Sequence, residues 1–541
     1  MSKSNSDYDI IIIGSGMGAL TVASIMAQYR HKKVLLLERH FTAGGFTHTF
    51  KRKRKFHWDV GIHYVGDLAK DSVLGRIFDL LTRGKMKWAK MPHIFEKFVY
   101  PDFTFEVKAS REEYQGDLIK QFPDEAESIE RYFDDMKTVN TYWGRHITLK
   151  GKPAFTDLIK QEVDLNGGFK HPNISVKEYL DKNFKSQQLK ALLVSQWGDY
   201  GVPPAEASLL MHATIVLHYL NGGYYPVGTS ARILETIQPI IEEFGGKILV
   251  NHQVEEILIE GGQAKGVRVK HTRAQEGDGI YEYYADTIIS NAGAYTTYNK
   301  LIPQSEPISF RDELNAFYKK QTIAVNVGLY LGLKDDPRKL GFNGENYWIY
   351  TSYDHDENCA VSSNWIEQGK PSGCYLTFPA LKDPEAEAFT AEIIAFTTYD
   401  AFAKWKDEPW KKRDGEYKKL KDDIADMLIN FVNERYPGFA DLIEFRELST
   451  PVTTEHFTDH PQGSIYGVPG VVERFTSKTA WCNAETPIEN LYLTGADVSS
   501  VGVAGAVMGG MATISKIPDG LSMLKIMKTS PEQLAAKKIK A

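Results

Sequence analysis

Cysteine is scarce in this sequence. The 541 residues contain three cysteines, Cys359, Cys374 and Cys482, which are far apart and odd in number. Disulfide frameworks and zinc sites need paired or closely spaced cysteines, so neither is expected, and no other metal site is predicted. There is no Cys-x-x-Cys redox pair and no iron–sulfur spacing. This cysteine usage is typical of a reducing compartment.

Long apolar runs and a targeting segment are also missing. No apolar run reaches about 18 residues, the length that a membrane-spanning helix needs, and the N-terminus leads into a predicted strand without a signal-peptide pattern. The formal net charge of −6 argues against nucleic acid as the main partner. We therefore predict a cytoplasmic protein that is long enough to hold two or three hydrophobic cores.

The strongest positive feature is a glycine turn between a predicted strand and a predicted helix. An apolar run from Tyr8 leads into Gly14-Ser15-Gly16-Met17-Gly18-Ala19, which has the spacing of a dinucleotide-binding fingerprint. The turn allows the backbone to approach a pyrophosphate, and the helix N-terminus offers free N–H groups. Glu38 ends the next strand, where an acid binds a ribose hydroxyl, so NAD or FAD is favoured over NADP.

A second glycine turn, Gly44-Gly45, follows Glu38 and favours FAD, because a flavin extends further across the domain than NAD does. The chain contains no second fingerprint, since residues 463–470 have the wrong glycine spacing and no strand–helix context. We therefore expect no dedicated NAD(P)H domain. Electrons must come from, or go to, an external donor or acceptor, unless the cycle is redox-neutral.

The middle of the chain alternates between hairpin, helical and strand patterns. Residues 46–66 predict a β-hairpin with a basic tip, Lys51–Lys55, and residues 70–220 show helical patterns with few strand signals. A loop over 222–228 precedes an amphipathic helix to about residue 243 and a β-meander over 247–269. Further along are a strand ending near Asn291, a mixed region over 300–485, a helix from about 504 to 516 and a Lys-rich tail.

Together these landmarks resemble the FAD-dependent phytoene desaturase superfamily, and within it the retinol saturase and carotenoid isomerase branch. They occur in the expected order over nearly the whole chain: the fingerprint with Glu38, Gly44-Gly45, Asp59-x-Gly61 with His63-Tyr64, the loop 222–228 before a helix and the strand with Val254, and the segment ending at Asp497. One position departs from the pattern. Phe46 stands where many relatives carry Arg, so desaturase chemistry is not assumed.

The resemblance implies an α/β fold. A Rossmann-type FAD-binding domain, of the glutathione-reductase-like type with a GG motif, would be interleaved with an α+β substrate-binding domain that carries a helical lid. The expected division is 1–68, 222–300 and 486–520 for the FAD-binding domain, 69–221 and 301–485 for the substrate-binding domain, and 521–541 for an amphipathic tail.

The resemblance also implies how FAD is held. Asp497 would accept hydrogen bonds from ribityl hydroxyls, with a helix N-cap as the alternative role, and the helix starting near Val503 would aim its N-terminus at the flavin. The implied cofactor residues are Gly14, Ser15, Gly16, Gly18, Ala19, Glu38, Arg39, Gly44, Gly45, Phe46, Gly61, Ile62, His63, Val254, Asn291, Gly495, Asp497, Gly502, Val503 and Ala504.

Candidate catalytic and substrate residues follow from the same resemblance. His63 and Tyr64 are the candidate catalytic residues: a histidine there can move a proton while the flavin moves a hydride, whereas the alternative is that His63 only packs on the flavin. Candidate walls of a lipophilic tunnel, with ordinary core packing as the alternative, are His48, Tyr224, Tyr225 and Tyr466.

The implied function is an FAD-dependent oxidoreductase that saturates, desaturates or isomerises double bonds of a retinoid, carotenoid or related polyene. The alternatives are an FAD-dependent isomerase or hydratase of unsaturated fatty acids, and a non-enzymatic prenyl-lipid escort protein. Because such substrates are lipophilic, the basic tip 51–55 and residues 86–95 are candidate contacts with a peripheral membrane surface. A solvated turn is the alternative for the tip. The sequence does not indicate an oligomeric state.

Overall fold

The computed structural model describes residues 7–149, 157–158, 160–273, 279–321, 323–476 and 479–529. The strands within these ranges are β1 (Ile10–Ile13), β2 (Val34–Leu37), β3 (Thr49–Arg52), β4 (Phe56–Asp59), β5 (Val65–Gly66), β6 (Trp88–Lys90), β7 (Ile94–Val99), β8 (Thr104–Lys108), β9 (Gly223–Pro226), β10 (Lys247–Leu249), β11 (His252–Glu260), β12 (Gln263–His271), β13 (Ile280–Tyr284), β14 (Thr287–Ser290), β15 (Val325–Leu333), β16 (Asn346–Tyr350), β17 (Gly373–Thr377), β18 (Thr390–Thr397), β19 (Ile443–Ser449) and β20 (Leu491–Leu493).

The described helices of seven or more residues are α1 (Met17–Arg30), α2 (Val73–Thr82), α3 (Arg111–Gln121), α4 (Ala126–Leu149), α5 (Val176–Asn183), α6 (Gln187–Leu193), α7 (Leu209–Tyr219), α8 (Ala231–Glu243), α9 (Arg311–Lys320), α10 (His355–Val361), α11 (Gly415–Arg435), α12 (Pro451–Thr458) and α13 (Gly502–Ile514). Shorter α-helical segments span Ala294–Thr296, Trp365–Gln368, Pro379–Lys382 and Met523–Met527. Of the expected C-terminal tail, residues 530–541 lie outside the described residues.

A five-stranded parallel sheet carries the fingerprint, with the strand order β10-β2-β1-β14-β20. Its central strands are fully buried apolar runs, as expected for a parallel sheet that is covered on both faces. Ile10 and Ile12 pack with α1, α8 and α13 on one face, while Ile11 and Ile13 face a second core. The sheet therefore gathers strands from the beginning, the middle and the end of the chain.

A seven-stranded sheet forms the second layer, with the order β19-β15-β18-β17-β16-β7-β8. All of its pairs are antiparallel except β16 with β7. Residues 70–220 are mainly helical, as expected, but β7 and β8 belong to this sheet although the sequence shows few strand signals there. The pattern of β7 is disguised by Glu96, a fully buried acid in the middle of the strand.

Two further predictions need correction. The segment Lys247–Leu249 is not part of the meander: it pairs in parallel with β2, and the antiparallel three-stranded sheet consists of β11, β12 and β13. The C-terminal helix begins at Gly502, two residues before the predicted start. Within the described ranges, no helix combines the length and the hydropathy needed to cross a bilayer.

The predicted hairpin is present, but its basic tip is not a free cationic turn. Strands β3 and β4 pair antiparallel, and the tip lies against β19. The Arg52 guanidinium donates to both carboxylate oxygens of Glu447, at 2.6 and 2.8 Å, and Lys55 pairs with Glu444 at 2.7 Å. Lys53 lies over the ring of Phe445. Three of the five basic side chains therefore have partners on the protein, which weakens the expected lipid contact.

The second candidate membrane contact, residues 86–95, is also not supported by the structure. Its large apolar side chains point into the protein: Met86, Met91 and Phe95 are each at most 5% exposed. Because β6 pairs with β9 inside a three-stranded sheet, the apolar residues serve the core and do not form an interfacial patch.

Candidate dinucleotide site and adjoining cavity

One cavity of about 800 Å³ connects the fingerprint to the seven-stranded sheet. Its walls include the β1–α1 turn, the turn after β2, the segment around Gly61 and the beginning of α13, and they continue to aromatic side chains of β15, β16, β17 and β18. This volume lies within the usual range of small-molecule and cofactor sites, about 300–1,000 Å³. The cavity thus joins a glycine-rich end to an aromatic end.

The glycines allow three segments to approach one another at the first end. A Cβ at Gly18 would lie 2.5 Å from the Cα of Gly495, and a Cβ at Gly45 would lie 2.9 Å from the Cα of Gly16. Gly44 has a φ of +116° and donates its N–H to the Ser15 hydroxyl at 2.9 Å. The two predicted glycine turns are therefore packed together as one cradle.

Two helices begin at this cradle without side-chain caps. The N-cap of α1 is Gly16 and that of α13 is Val501, neither makes a side-chain cap hydrogen bond, and neither helix has an acid in its first turn. The first residues of both helices line the cavity. Uncapped N-terminal N–H groups and the helix dipole favour anions, such as the phosphates of a dinucleotide.

Glu38 lies at the end of β2, and its carboxylate is held in place by the turn. Oε2 accepts from the Ser15 N–H at 3.0 Å and from the Ser15 hydroxyl at 2.6 Å, while Oε1 accepts from the His40 N–H at 2.8 Å. Burial raises the pKa of Glu38 above its usual value. A carboxylate offers about four acceptor positions, so Oε1 retains capacity for a ribose hydroxyl in the cavity.

Asp497 also lines the cavity, and the N-cap alternative for it was wrong. Its carboxylate accepts from the N–H groups of Ala294 at 2.7 Å and Val468 at 2.8 Å, neither of which belongs to α13. The buried Arg474 donates to the backbone carbonyls of residues 496, 497 and 499, which fixes this loop. Asp497 is therefore part of a rigid wall that joins three distant segments.

The structure brings most of the predicted cofactor residues together. Those that line the cavity are Gly14, Ser15, Gly16, Gly18, Glu38, Arg39, Gly45, Phe46, Gly61, His63, Val254, Asn291, Asp497, Gly502 and Val503. The side chain of Arg39 also forms an ion pair with Asp459 at 3.3 Å. Together with the glycine cradle and the two uncapped helices, these residues fit a bound dinucleotide.

The remaining cofactor predictions do not line the cavity. Ala19 and Ile62 are buried in the core beneath the parallel sheet, and Ala504 packs against that core. Gly44 supports the turn through Ser15, and Gly495 lies against Gly18. For these five residues, packing explains the small or apolar side chain.

Two of the four predicted substrate contacts were wrong. His48 and Tyr466 line the cavity, but Tyr224 and Tyr225 do not. Tyr225 is 1% exposed and donates its hydroxyl to the buried carboxylate of Asp59, while Tyr224 packs against the core on the opposite side of β9. Side chains alternate between the faces of a strand, and in β9 neither of these tyrosines faces the cavity.

His63 has a partner that sequence reasoning missed. Its Nδ1 lies 3.0 Å from Oε2 of Glu392, and the Glu392 side chain is 1% exposed. Behind this pair the buried Lys382 donates to the His63 carbonyl, to the Asn346 amide oxygen and to the Thr377 hydroxyl. Burial lowers the pKa of Lys382 to about 7. Glu392 lies on a strand more than 300 residues away, so no local pattern points to it.

Tyr64 does not line the cavity, but it holds a residue that does. Its ring stacks on Tyr219, and its hydroxyl donates to Oδ2 of Asp199 at 2.6 Å. Asp199 lines the cavity and was not predicted as a site residue. An acid between glycines and aromatics, in Trp197-Gly198-Asp199-Tyr200-Gly201, was the available signal. Among the described residues, no group of three or more metal-ligating side chains occurs.

Comparisons with known proteins identify the family. A family model described as an NAD(P)-binding Rossmann-like domain matches residues 12–81. The all-trans-retinol 13,14-reductase of Danio rerio is 33% identical over 537 residues, which cover 95% of this chain and 87% of that protein. The chain belongs to the family of all-trans-retinol 13,14-reductases.

Other relatives show the range of this family and of its neighbours. A Danio rerio protein named an inactive all-trans-retinol 13,14-reductase is 29% identical and covers 95% of this chain and 86% of its own length. The chloroplastic prolycopene isomerase of Arabidopsis thaliana is 24% identical, and the match covers 85% of this chain and 74% of that protein. The expected retinol saturase and carotenoid isomerase branch is therefore confirmed, as is the prediction of an enzyme.

Solved structures support the fold. A putrescine oxidase triple mutant superposes with a TM-score of 0.62 at 12% identity and covers 99% of both chains. An oxidoreductase from Methanosarcina mazei superposes with a TM-score of 0.59 at 15% identity, and the match covers 94% of this chain and all of that one. The predicted α/β class with a Rossmann-type domain is confirmed.

Proposed function

We propose that this protein is an FAD-dependent oxidoreductase that acts on carbon–carbon double bonds of a long apolar polyene, of the retinoid or carotenoid type. The observation that carries this proposal is the continuous cavity, which leads from the dinucleotide cradle to a chamber of aromatic side chains. Relatives named for retinol reduction and prolycopene isomerisation support the substrate class.

FAD would be held at the cradle end. The N-termini of α1 and α13 face anionic groups, and Glu38 and Asp497 offer carboxylate oxygens to hydroxyls. When bound, a flavin supplies two-electron redox chemistry at carbon. The second glycine turn and the second uncapped helix favour FAD over a nicotinamide dinucleotide, because a flavin extends further across the domain.

The aromatic end would hold the polyene and exclude water. Trp197, Trp348, Tyr350, Tyr375 and Phe396 line it, and buried aromatic surface favours an extended apolar ligand. Two side chains that can carry a proton line the cavity, His63 and Asp199, and each has a buried partner behind it, Glu392 for His63 and Tyr64 for Asp199. Either group is placed to hold or move a proton at a substrate carbon.

The test uses the purified full chain. We expect it to bind FAD with a flavin absorbance spectrum and, after anaerobic reduction with dithionite, to convert all-trans-retinol to a product heavier by two hydrogens, detected by chromatography with mass spectrometry. Conversion of a cis-carotenoid without a change in mass would instead assign isomerisation. A colourless protein that does not bind added FAD would contradict both the reductase and the isomerase function and would favour an escort role.

A further inference from the structure

Asp199 belongs to a hydrogen-bonded chain that ends at the cavity. Gln196 Nε2 donates to Glu96 Oε2 at 2.7 Å and lies 3.4 Å from the Tyr64 hydroxyl. Trp348 Nε1 donates to Glu96 Oε1 at 3.0 Å. Tyr64 then donates to Asp199 Oδ2 at 2.6 Å. Asp199 and Trp348 are the members of this chain that line the cavity, and Asp199 is the acid among them.

The direction of these bonds fixes where a proton on Asp199 would sit. The Gln196 amide nitrogen can only donate, so the Tyr64 oxygen accepts from it and directs its own proton to Oδ2. In the part of the chain that the structure describes, no hydrogen bond reaches Oδ1. A protonated Asp199 therefore carries its proton on Oδ1, the oxygen that Tyr64 leaves free.

The surroundings favour the protonated form of this carboxyl. Asp199 sits among aromatic side chains, and burial raises its pKa. The other titratable groups that face it are also acids, and none carries a positive charge: Glu96 and the hydroxyls of Tyr200, Tyr219, Tyr350, Tyr375 and Tyr466. Among the described groups that face Asp199, no cation offsets the cost of burying its carboxylate, and the hydrogen bond from Tyr64 offsets only part of that cost.

We propose that Asp199 is the catalytic acid that protonates the substrate carbon, and that Tyr64 positions it. The inference rests on the proposed function. The Oδ1–H bond breaks and a C–H bond forms with the electron pair of the former double bond. A reduced flavin held at the cradle would supply the neighbouring carbon with a hydrogen and two electrons, and an external reductant would restore the flavin. The Asp199 carboxylate that remains is stabilised by the Tyr64 hydroxyl until solvent returns the proton.

The first test compares two matched acids. Asp135 likewise accepts from a tyrosine hydroxyl, that of Tyr179 at 2.6 Å, and also from the Asn166 N–H at 2.9 Å, but it lies outside the cavity. General acids contribute about 10²–10⁴-fold to rate. We expect Asp199→Asn to lose at least 10²-fold in retinol conversion by the dithionite-reduced holoenzyme while it keeps its FAD, and Asp135→Asn to keep wild-type turnover.

The second test combines an infrared measurement that needs no turnover with the pH dependence of turnover. Infrared spectra of the resting protein should contain the C=O band of a protonated carboxylic acid that disappears in Asp199→Asn and remains in Asp135→Asn. The hydrogen bond from Tyr64 lowers the pKa of Asp199. Since an acid acts in its protonated form, turnover should fall as pH rises through this pKa, and Tyr64→Phe should move the falling limb to higher pH.

The outcomes separate the two proposals. If the wild-type holoenzyme converts neither retinol nor a carotenoid, the proposed function fails, and the proton donor fails with it. If the wild type is active and Asp199→Asn retains full activity, only the proton donor is refuted. An unchanged pH limb in Tyr64→Phe also refutes the proton donor, and so does an infrared band that Asp199→Asn leaves unaffected. Neither readout depends on the turnover of the Asp199→Asn enzyme.

Discussion

Replacing Gly18 with alanine tests whether the cofactor site is placed correctly. An ideal Cβ at this position would lie 2.5 Å from the Cα of Gly495 and 2.6 Å from the Gly495 nitrogen and from Asn291 Oδ1. Two of these contacts are with backbone atoms, so a change of rotamer cannot relieve them. The first turn of α1 must therefore move away from the turn after β20.

The change in the free energy of unfolding that we expect for Gly18→Ala follows from two opposing effects. Overpacking of a tight contact costs about 1–3 kcal/mol, whereas alanine is favoured over glycine in a helix interior by about 1 kcal/mol. A net loss of about 0–2 kcal/mol in the free energy of unfolding remains. A larger effect is expected on FAD affinity, because the displaced turn is the one that would face the pyrophosphate.

The assay measures flavin per protein from the absorbance spectrum and stability from denaturant unfolding. Gly116→Ala is the matched control: Gly116 lies in α3 with nothing within 4 Å of an added Cβ. It should gain about 0.5–1 kcal/mol and keep its FAD. If Gly18→Ala also keeps both stability and flavin content, the fingerprint does not form the cofactor cradle.

Three further predictions concern charged groups. Glu38→Ala removes a carboxylate acceptor for ribose, so FAD affinity should fall by about 1.5–3 kcal/mol for each charge-assisted hydrogen bond lost, as measured by titrating the apoprotein; unchanged affinity would mean that Glu38 does not face the ribose. Lys382→Met removes a buried amine that donates three hydrogen bonds and interacts electrostatically with Glu392 and Asp59, so the free energy of unfolding measured with denaturant should fall by about 3–5 kcal/mol; a fall below about 1 kcal/mol would contradict this role of Lys382. Five free basic residues would contribute about 1 kcal/mol each to binding at an anionic lipid surface. Removing the charges of residues 51–55 should reduce flotation with anionic liposomes by less than that sum, because three of the five side chains have partners on the protein. A loss that matches five free charges would show that the tip leaves β19.

Local patterns predicted the cradle well, because its geometry is fixed by neighbours in sequence. The Gly14–Ala19 turn, Glu38 and the hairpin after Phe46 depend on short-range backbone requirements that a sequence displays directly. Asp497 was also predicted, but only through a family resemblance, since its partners Ala294 and Val468 come from separate segments.

The substrate end was less predictable for a physical reason. Its residues meet through tertiary packing, so their roles depend on orientation and not on spacing. Tyr64, a candidate catalytic residue, does not line the cavity, because its ring stacks on Tyr219 and its hydroxyl turns toward Asp199. The buried Glu96 interrupts the apolar pattern by which β7 could have been predicted. Glu392 contacts His63 from a strand far along the chain.

The relative named inactive shows why the two ends of the cavity need separate tests. It is 29% identical to this chain, almost as similar as the relatives named as reductases, so overall identity does not separate an active member from an inactive one. In the proposed function the cradle would bind the flavin, whereas proton transfer would need an acid at the aromatic end. A protein can therefore keep the fold and the flavin while it loses turnover. For this chain, a test of flavin binding alone would therefore not establish the reaction. Variants of Asp199 and His63, which line the cavity with their partners Tyr64 and Glu392 behind them, test the other end.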